Sequence, residues 1–158
     1  RNEHEISSDT ELLLFYASRS EHLKKKIIPS LRNKTVICDR YIHSTYSYQV
    51  NSSNLEQKIK FLHKNFCFNL LPDLTFLLDI PFEDGINRSL RIKKSETRFE
   101  RKNKDFHKKV RASFLKLSLK DKKIFKVDAL LSKKKVHYKI IDHLNSKSFY
   151  KKLIPYSI

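Results

Sequence analysis

Apolar and polar positions alternate along the chain with two periods, and segments of helical period are separated by short apolar runs. From Ser8 the residues Leu12, Phe15, Tyr16, Arg19, Leu23 and Ile27 recur at helical spacing, which predicts a helix running to about Ile28, before Pro29. Ser8-Asp9-Thr10-Glu11 reads as its capping box. Thr35 to Asp39 is a short apolar run ending in polar residues, a predicted strand. Leu55, Ile59, Leu62 and Phe66 share one face of a second helix reaching about Asn69. Leu74 to Ile80, after Pro72, is apolar on both faces, as burial between helix layers demands of a strand. After Pro81 a short helix through Gly85 leads into a basic stretch from Arg88 to Arg101. A helix over about 105–119, a strand over 124–128 and a helix over about 134–144 complete the pattern. Helix and strand therefore alternate, the signature of an α/β domain with parallel strands. A single domain over 1–145 and a patternless tail over 146–158 follow from this reading.

Three clusters carry candidate chemistry. In Asp39-Arg40-Tyr41-Ile42-His43-Ser44-Thr45-Tyr46-Ser47-Tyr48-Gln49, a carboxylate and a guanidinium follow a predicted strand, at the end where open parallel sheets bind ligands. Asp39 suits the water shell of Mg2+ and Arg40 suits a phosphate, while Ser44 with Tyr48 and Thr45 with Gln49 share helical faces. A strand-end salt bridge followed by a capped helix explains Asp39 and Arg40 equally well. Phe15 and Arg19 lie four residues apart, an arrangement for stacking a base beside a phosphate-binding fork, or for a core aromatic with a snorkelling arginine. Arg88-Ser89-Leu90-Arg91-Ile92-Lys93-Lys94 is a basic segment able to close over phosphates, or an ordinary solvated loop.

Charge adds little to the choice. Lys and Arg number 34 against 17 Asp and Glu, a net +17, which points to polyanionic partners or to a Lys-rich composition. A basic nucleic-acid-binding module would interleave aromatics with its lysine runs, whereas here most aromatics fall in apolar periodic segments. No apolar run approaches the roughly 20 residues of a membrane span. Cys38 and Cys67 both sit in apolar runs and read as buried free thiols of an intracellular protein. The seven histidines show no zinc-like spacing.

Taken together, the clusters resemble the thymidylate kinase family. Glu11 to Arg19 is similar to its thymine- and phosphate-binding segment, and Asp39-Arg40-Tyr41 with Ser44, Thr45, Tyr48 and Gln49 to its DR(Y/F/H) motif and acceptor helix. Leu71 to Ile80 resembles the PDLT-x-x-LD strand, and Arg98-Phe99-Glu100 with Asp105-Phe106-His107 through Arg111 the run after the lid. The resemblance covers about residues 9 to 130 in order. It implies a P-loop nucleoside monophosphate kinase fold, a parallel sheet flanked by helices, that transfers the γ-phosphate of ATP to dTMP with Mg2+. A related deoxynucleoside kinase is the alternative within that class. Phe15 would stack on thymine, Arg19 contact the acceptor nucleotide and Arg40 its phosphate, with Asp39 near Mg2+ through water. Ser44, Thr45 and Gln49 would meet the base and phosphate side, and Tyr48 the deoxyribose. Arg88 or Arg91 would be the lid arginine, although Thr97 stands where the family has Asp and Lys93-Lys94 replace a Gly-containing stretch. A cytoplasmic homodimer is the family's habit.

The sequence holds one glycine, Gly85, so it contains no GxxxxGK[ST] phosphate loop. The expectation is that the N-terminal strands and the ATP loop precede Ser8 in the complete protein and are absent from this sequence. Without its central strand, the sheet would leave neighbouring backbone groups unpaired, which predicts poor stability for these residues alone.

Overall fold

The computed structural model describes residues 6–49, 53–92 and 104–146. The chain packs into two compact units, Arg1–Pro72 and Asp73–Ile158.

In the first unit, α1 spans Ser8–His22. Its N-cap is Ser7, one residue before the predicted box, and the Ser7 hydroxyl accepts from the Thr10 amide at 3.1 Å. The hydroxyl of Thr10, at the position of the usual glutamate, closes the cap at 2.9 Å from Ser7 Oγ. The helical path also does not stop before Pro29. It widens into a π-helical turn at Leu23–Ile27 and continues as α2, Ile28–Leu31. Pro29 then occupies the first turn of a new segment, where its missing N–H and fixed φ are tolerated. Two helices follow, α3 at Ile42–Gln49 and α4 at Ser53–Phe66. Leu12, Tyr16, Leu23 and Ile27 close against Leu55, Ile59 and Cys67 to form the core of this unit. Phe66 was expected in that face but is 52% exposed. The chain leaves α4 through left-handed residues Phe68 and Asn69, and Cys67, fully buried, takes the inward position.

The strand predicted at 35–39 is not formed. These residues have no regular secondary structure, Asp39 lies in a bend, Ile37 is 95% exposed, and Cys38 is exposed rather than buried. An apolar run becomes a strand only when a neighbour accepts its backbone groups, and among the described residues none pairs with this segment.

Among the described residues the second unit contains two parallel strands, β1 at Thr75–Asp79 and β2 at Ile124–Asp128, in register from Thr75 with Ile124 to Asp79 with Asp128. Three helices accompany them: α5, Phe82–Ile92; α6, Lys104–Lys120; and α7, Lys133–Ser146. β2 buries Ile124 and Val127, but β1 is only half-buried, with Leu78 exposed, so the two-sided burial expected of it is not realised. Among the described residues the sheet has two strands and so no interior strand to bury on both faces. The basic stretch begins as helix, because α5 carries Arg88 and Arg91; Lys93, Lys94, Thr97, Arg98, Phe99, Glu100 and Arg101 lie outside the described residues, as does the tail beyond Ser146.

Candidate active site

Two of the predicted acceptor residues, Arg19 and Arg40, bond to side chains of α3 within the first unit. Arg19 reaches from α1 and donates Nη2–H to Thr45 Oγ1 at 2.7 Å. Arg40 stands just before α3 and donates from Nη2 to the Tyr48 hydroxyl at 3.4 Å, its guanidinium 5.2 Å from the centre of that ring. Thr45 and Tyr48 are three residues apart on one helix, so neighbouring points of one surface receive both arginines. Gln49, buried one residue further, donates Nε2–H to Glu11 Oε1 at 3.2 Å. Arg40 has φ 62°, a left-handed conformation that costs a bulky residue about 1–2 kcal/mol. Such strain is held in place by surrounding structure and collects at functional sites.

Asp39 is exposed at the same turn, and Ser44 is half-buried on α3. Phe15 is 41% exposed on α1, one residue from buried Tyr16. Arg88 and Arg91 stand on α5 in the second unit, both exposed, and Arg88 donates Nη1–H to the Ala129 carbonyl at 2.7 Å.

Three residues around Arg19 had no role of their own in the sequence reading, although Tyr16 and Tyr41 lie within its motif segments and only His63 lies outside them. Its guanidinium lies 4.7 Å from the centre of the Tyr16 ring and 5.4 Å from that of Tyr41, distances of cation–π attraction. Tyr16 donates its O–H to the Ile59 carbonyl at 3.3 Å, and Tyr41 donates to that of Leu70 at 3.0 Å. Burial raises both phenols, with Arg19 opposing, and Tyr41 is pushed up to about 12. Both therefore remain protonated donors at neutral pH. Behind them His63 is almost fully buried. Burial lowers its imidazolium, the bond to Leu70 works the other way, and the charge of Arg19 and the neighbouring His43 lower it further. A histidine in an amphipathic helix has no sequence feature that marks this surrounding.

In the second unit Arg111 holds Asp79 in a two-pronged bond, Nε to Oδ1 at 2.8 Å and Nη2 to Oδ2 at 3.1 Å. Arg111 lowers the Asp79 carboxyl below its ordinary range. This pair fixes the carboxyl end of β1 to α6.

The thymidylate kinase family model matches residues 1–140. The chain belongs to the thymidylate kinase family. It is 46% identical over 129 residues to the thymidylate kinase of Onion yellows phytoplasma (strain OY-M), covering 79% of this chain and 62% of that relative. To the thymidylate kinase of Chlamydia trachomatis serovar D it is 44% identical over 137 residues, covering 82% and 66% respectively. The fold is similar to the crystal structure of thymidylate kinase from Ehrlichia chaffeensis, with a TM-score of 0.66 and 27% identity over 90% of this chain and 67% of that one. The parallel strands and flanking helices are thus those of an α/β nucleotide kinase of this family. The chain spans less than two thirds of the first of these thymidylate kinases.

Proposed function

We propose that this chain supplies the dTMP-accepting side of thymidylate kinase chemistry, in which the γ-phosphate of ATP passes to dTMP to give dTDP. The observation that carries the reading is the convergence of Arg19 and Arg40, from different segments, on Thr45 and Tyr48 of one short helix. Phosphoryl transfer asks a protein chiefly to position the reactants and neutralise charge, and two planar forks at one surface suit that task. In this reading Arg40 holds the acceptor phosphate, Arg19 and exposed Phe15 meet the nucleotide, and Ser44, Thr45 and Gln49 line the base and phosphate side. Tyr48 packs on the deoxyribose. Arg88 or Arg91 would approach the transferred group. The kinase domain is drawn over 1–145 with a tail over 146–158.

Because these 158 residues contain no GxxxxGK[ST] loop, they do not themselves supply the usual backbone cradle for ATP. Among the described residues no three His, Cys, Asp or Glu side chains gather to hold a metal directly. Mg2+ keeps several waters and takes one or two carboxylates beside substrate phosphates, which fits a single exposed Asp39. Bound there, the ion would neutralise charge on the phosphate oxygens.

Among the described residues no helix is long and apolar enough to cross a membrane, and we place the protein in the cytoplasm. Exposed Leu13, Leu14 and Phe61 on α1 and α4 support a homodimer through that face; sedimentation should then show twice the monomer mass, and a monomer at high concentration excludes it.

Calorimetric titration of the chain tests the main reading. dTMP should bind, and thymidine should bind at least about tenfold more weakly because the charge-assisted phosphate bonds are lost. Equal affinity for the two ligands overturns the assignment of Arg40 to phosphate. Joined to a phosphate-loop segment, the chain should convert dTMP and ATP to dTDP, whereas the 158 residues alone should show no turnover.

A further inference from the structure

We propose that His63 is a positioning residue for the acceptor site, a neutral imidazole that braces Tyr16 and Tyr41 and thereby sets the direction in which they present Arg19. This rests on the reading of Arg19 as a nucleotide contact.

The ring of His63 meets both tyrosines edge-on, with centroids 6.4 Å from Tyr16 and 5.8 Å from Tyr41, each at 75°. The same two tyrosines flank the Arg19 guanidinium. Imidazole, phenols and guanidinium thus form three successive tiers, and the guanidinium is bonded to α3 through Thr45. An aromatic surface attracts a guanidinium without fixing it as a salt bridge would, so its placement depends on how firmly the rings are held.

His63 shares one acceptor with Tyr41, while Tyr16 donates to the Ile59 carbonyl and meets His63 through its ring alone. Its Nε2 lies 2.9 Å from the Leu70 carbonyl, which also accepts the Tyr41 hydroxyl at 3.0 Å. A carbonyl oxygen has two lone pairs, so both bonds form when Nε2 carries the proton. Nδ1 is then bare, and it is buried with no hydrogen-bond partner. A proton there would bury an unpaired N–H on a second cation near Arg19, which fits the depressed imidazolium. The backbone also converges on this residue: the amides of Cys67 and Asn69 donate to the His63 carbonyl at 3.1 and 3.3 Å, through the left-handed turn that delivers Leu70. The spacing His63 to Leu70 therefore joins the end of α4 to the Arg19 support.

The experiment compares three variants of the chain. His63→Gln keeps an amide able to donate to Leu70 but removes the ring, His63→Leu removes both, and Leu55→Ala weakens the same core eight positions earlier on α4. Ring currents of Tyr16 and Tyr41 shift the Arg19 side-chain protons upfield in the NMR spectrum. We expect both His63 variants to lose at least half of that shift, with Leu55→Ala retaining it at equal or lower Tm. dTMP affinity should fall about tenfold in His63→Leu and about threefold in His63→Gln, as displacement of a contact by a fraction of an ångström predicts. An unchanged Arg19 shift in His63→Gln, or an equal loss in Leu55→Ala, overturns the proposal. Should His63→Leu fail to fold, His63→Gln carries the comparison. Should the wild-type chain not bind dTMP, the acceptor reading fails, while the Arg19 shift still decides the role of His63.

Discussion

Arg19→Lys separates a site arginine from a core strut. The guanidinium donates to Thr45, which is 2% exposed, and lies against two aromatic rings. Lysine keeps the charge but loses the fork. A hydrogen bond from a charged donor contributes about 1.5–3 kcal/mol, and a cation–π contact about 0.5–1 kcal/mol at a partly exposed position. Against this, Arg19 Nη1 is buried without a partner in the free chain. Leaving such a donor unsatisfied costs about 1–3 kcal/mol, a penalty that lysine escapes. The opposing contributions leave a net destabilisation of about 1 kcal/mol. Nucleotide binding is different, because an oxygen of dTMP would satisfy Nη1. Losing that charge-assisted bond at about 1.5–3 kcal/mol corresponds to roughly tenfold to a hundredfold in Kd. Urea denaturation and calorimetric titration of dTMP read the two quantities on the same preparation. A stability loss above about 3 kcal/mol with unchanged dTMP affinity would show that Arg19 only supports the core, and would refute the reasoning.

Acid should destabilise both units for different reasons. The folded state depresses His63, so its contribution is complete above the ordinary histidine value of about 6.5 and declines as pH falls below it. Asp79 is likewise depressed, so stability from its pair with Arg111 is present above the ordinary carboxyl value and is lost as pH falls through the folded one. Urea midpoints between pH 7 and 4 should therefore fall in wild type and flatten in His63→Gln; an equal slope in the variant contradicts this. Arg111→Ala should cost about 1–2 kcal/mol, the upper figure being reduced by the partial exposure of Arg111. Arg40→Lys should weaken dTMP about tenfold or more, whereas Arg32→Lys, exposed at the end of α2, should change it little; equal effects would make Arg40 a structural charge. Ile37→Thr should alter stability by less than about 0.5 kcal/mol, while Ile59→Ala in the core should cost about 2–5 kcal/mol, both measured by denaturation.

Local periodicity was enough to place most elements. α1, α4, α6, α7 and both strands fall within a few residues of where apolar spacing puts them, because each buries a face whose period is written in consecutive residues. Asp39, Arg40, Thr45, Tyr48 and Gln49 were legible as one candidate cluster for the same reason: they sit together in the chain. Thr35 to Cys38 shows the limit of that signal. Its apolar run resembles a strand, yet strand formation is decided by hydrogen-bond partners elsewhere, and here the residues form no strand, with Val36 packed against the core and Ile37 exposed. The end of α1 was misjudged at Pro29 because a π-helical turn before it gave proline a new first turn. Other relations belong to tertiary structure alone. Arg19 meets Tyr41 and Thr45, and Asp79 meets Arg111, only because the fold closes sequence separations of 22, 26 and 32 positions. His63 has a role only through the rings that packing places beside it. Spacing along one element is a property of the chain, whereas burial and long-range bonding depend on which elements become neighbours.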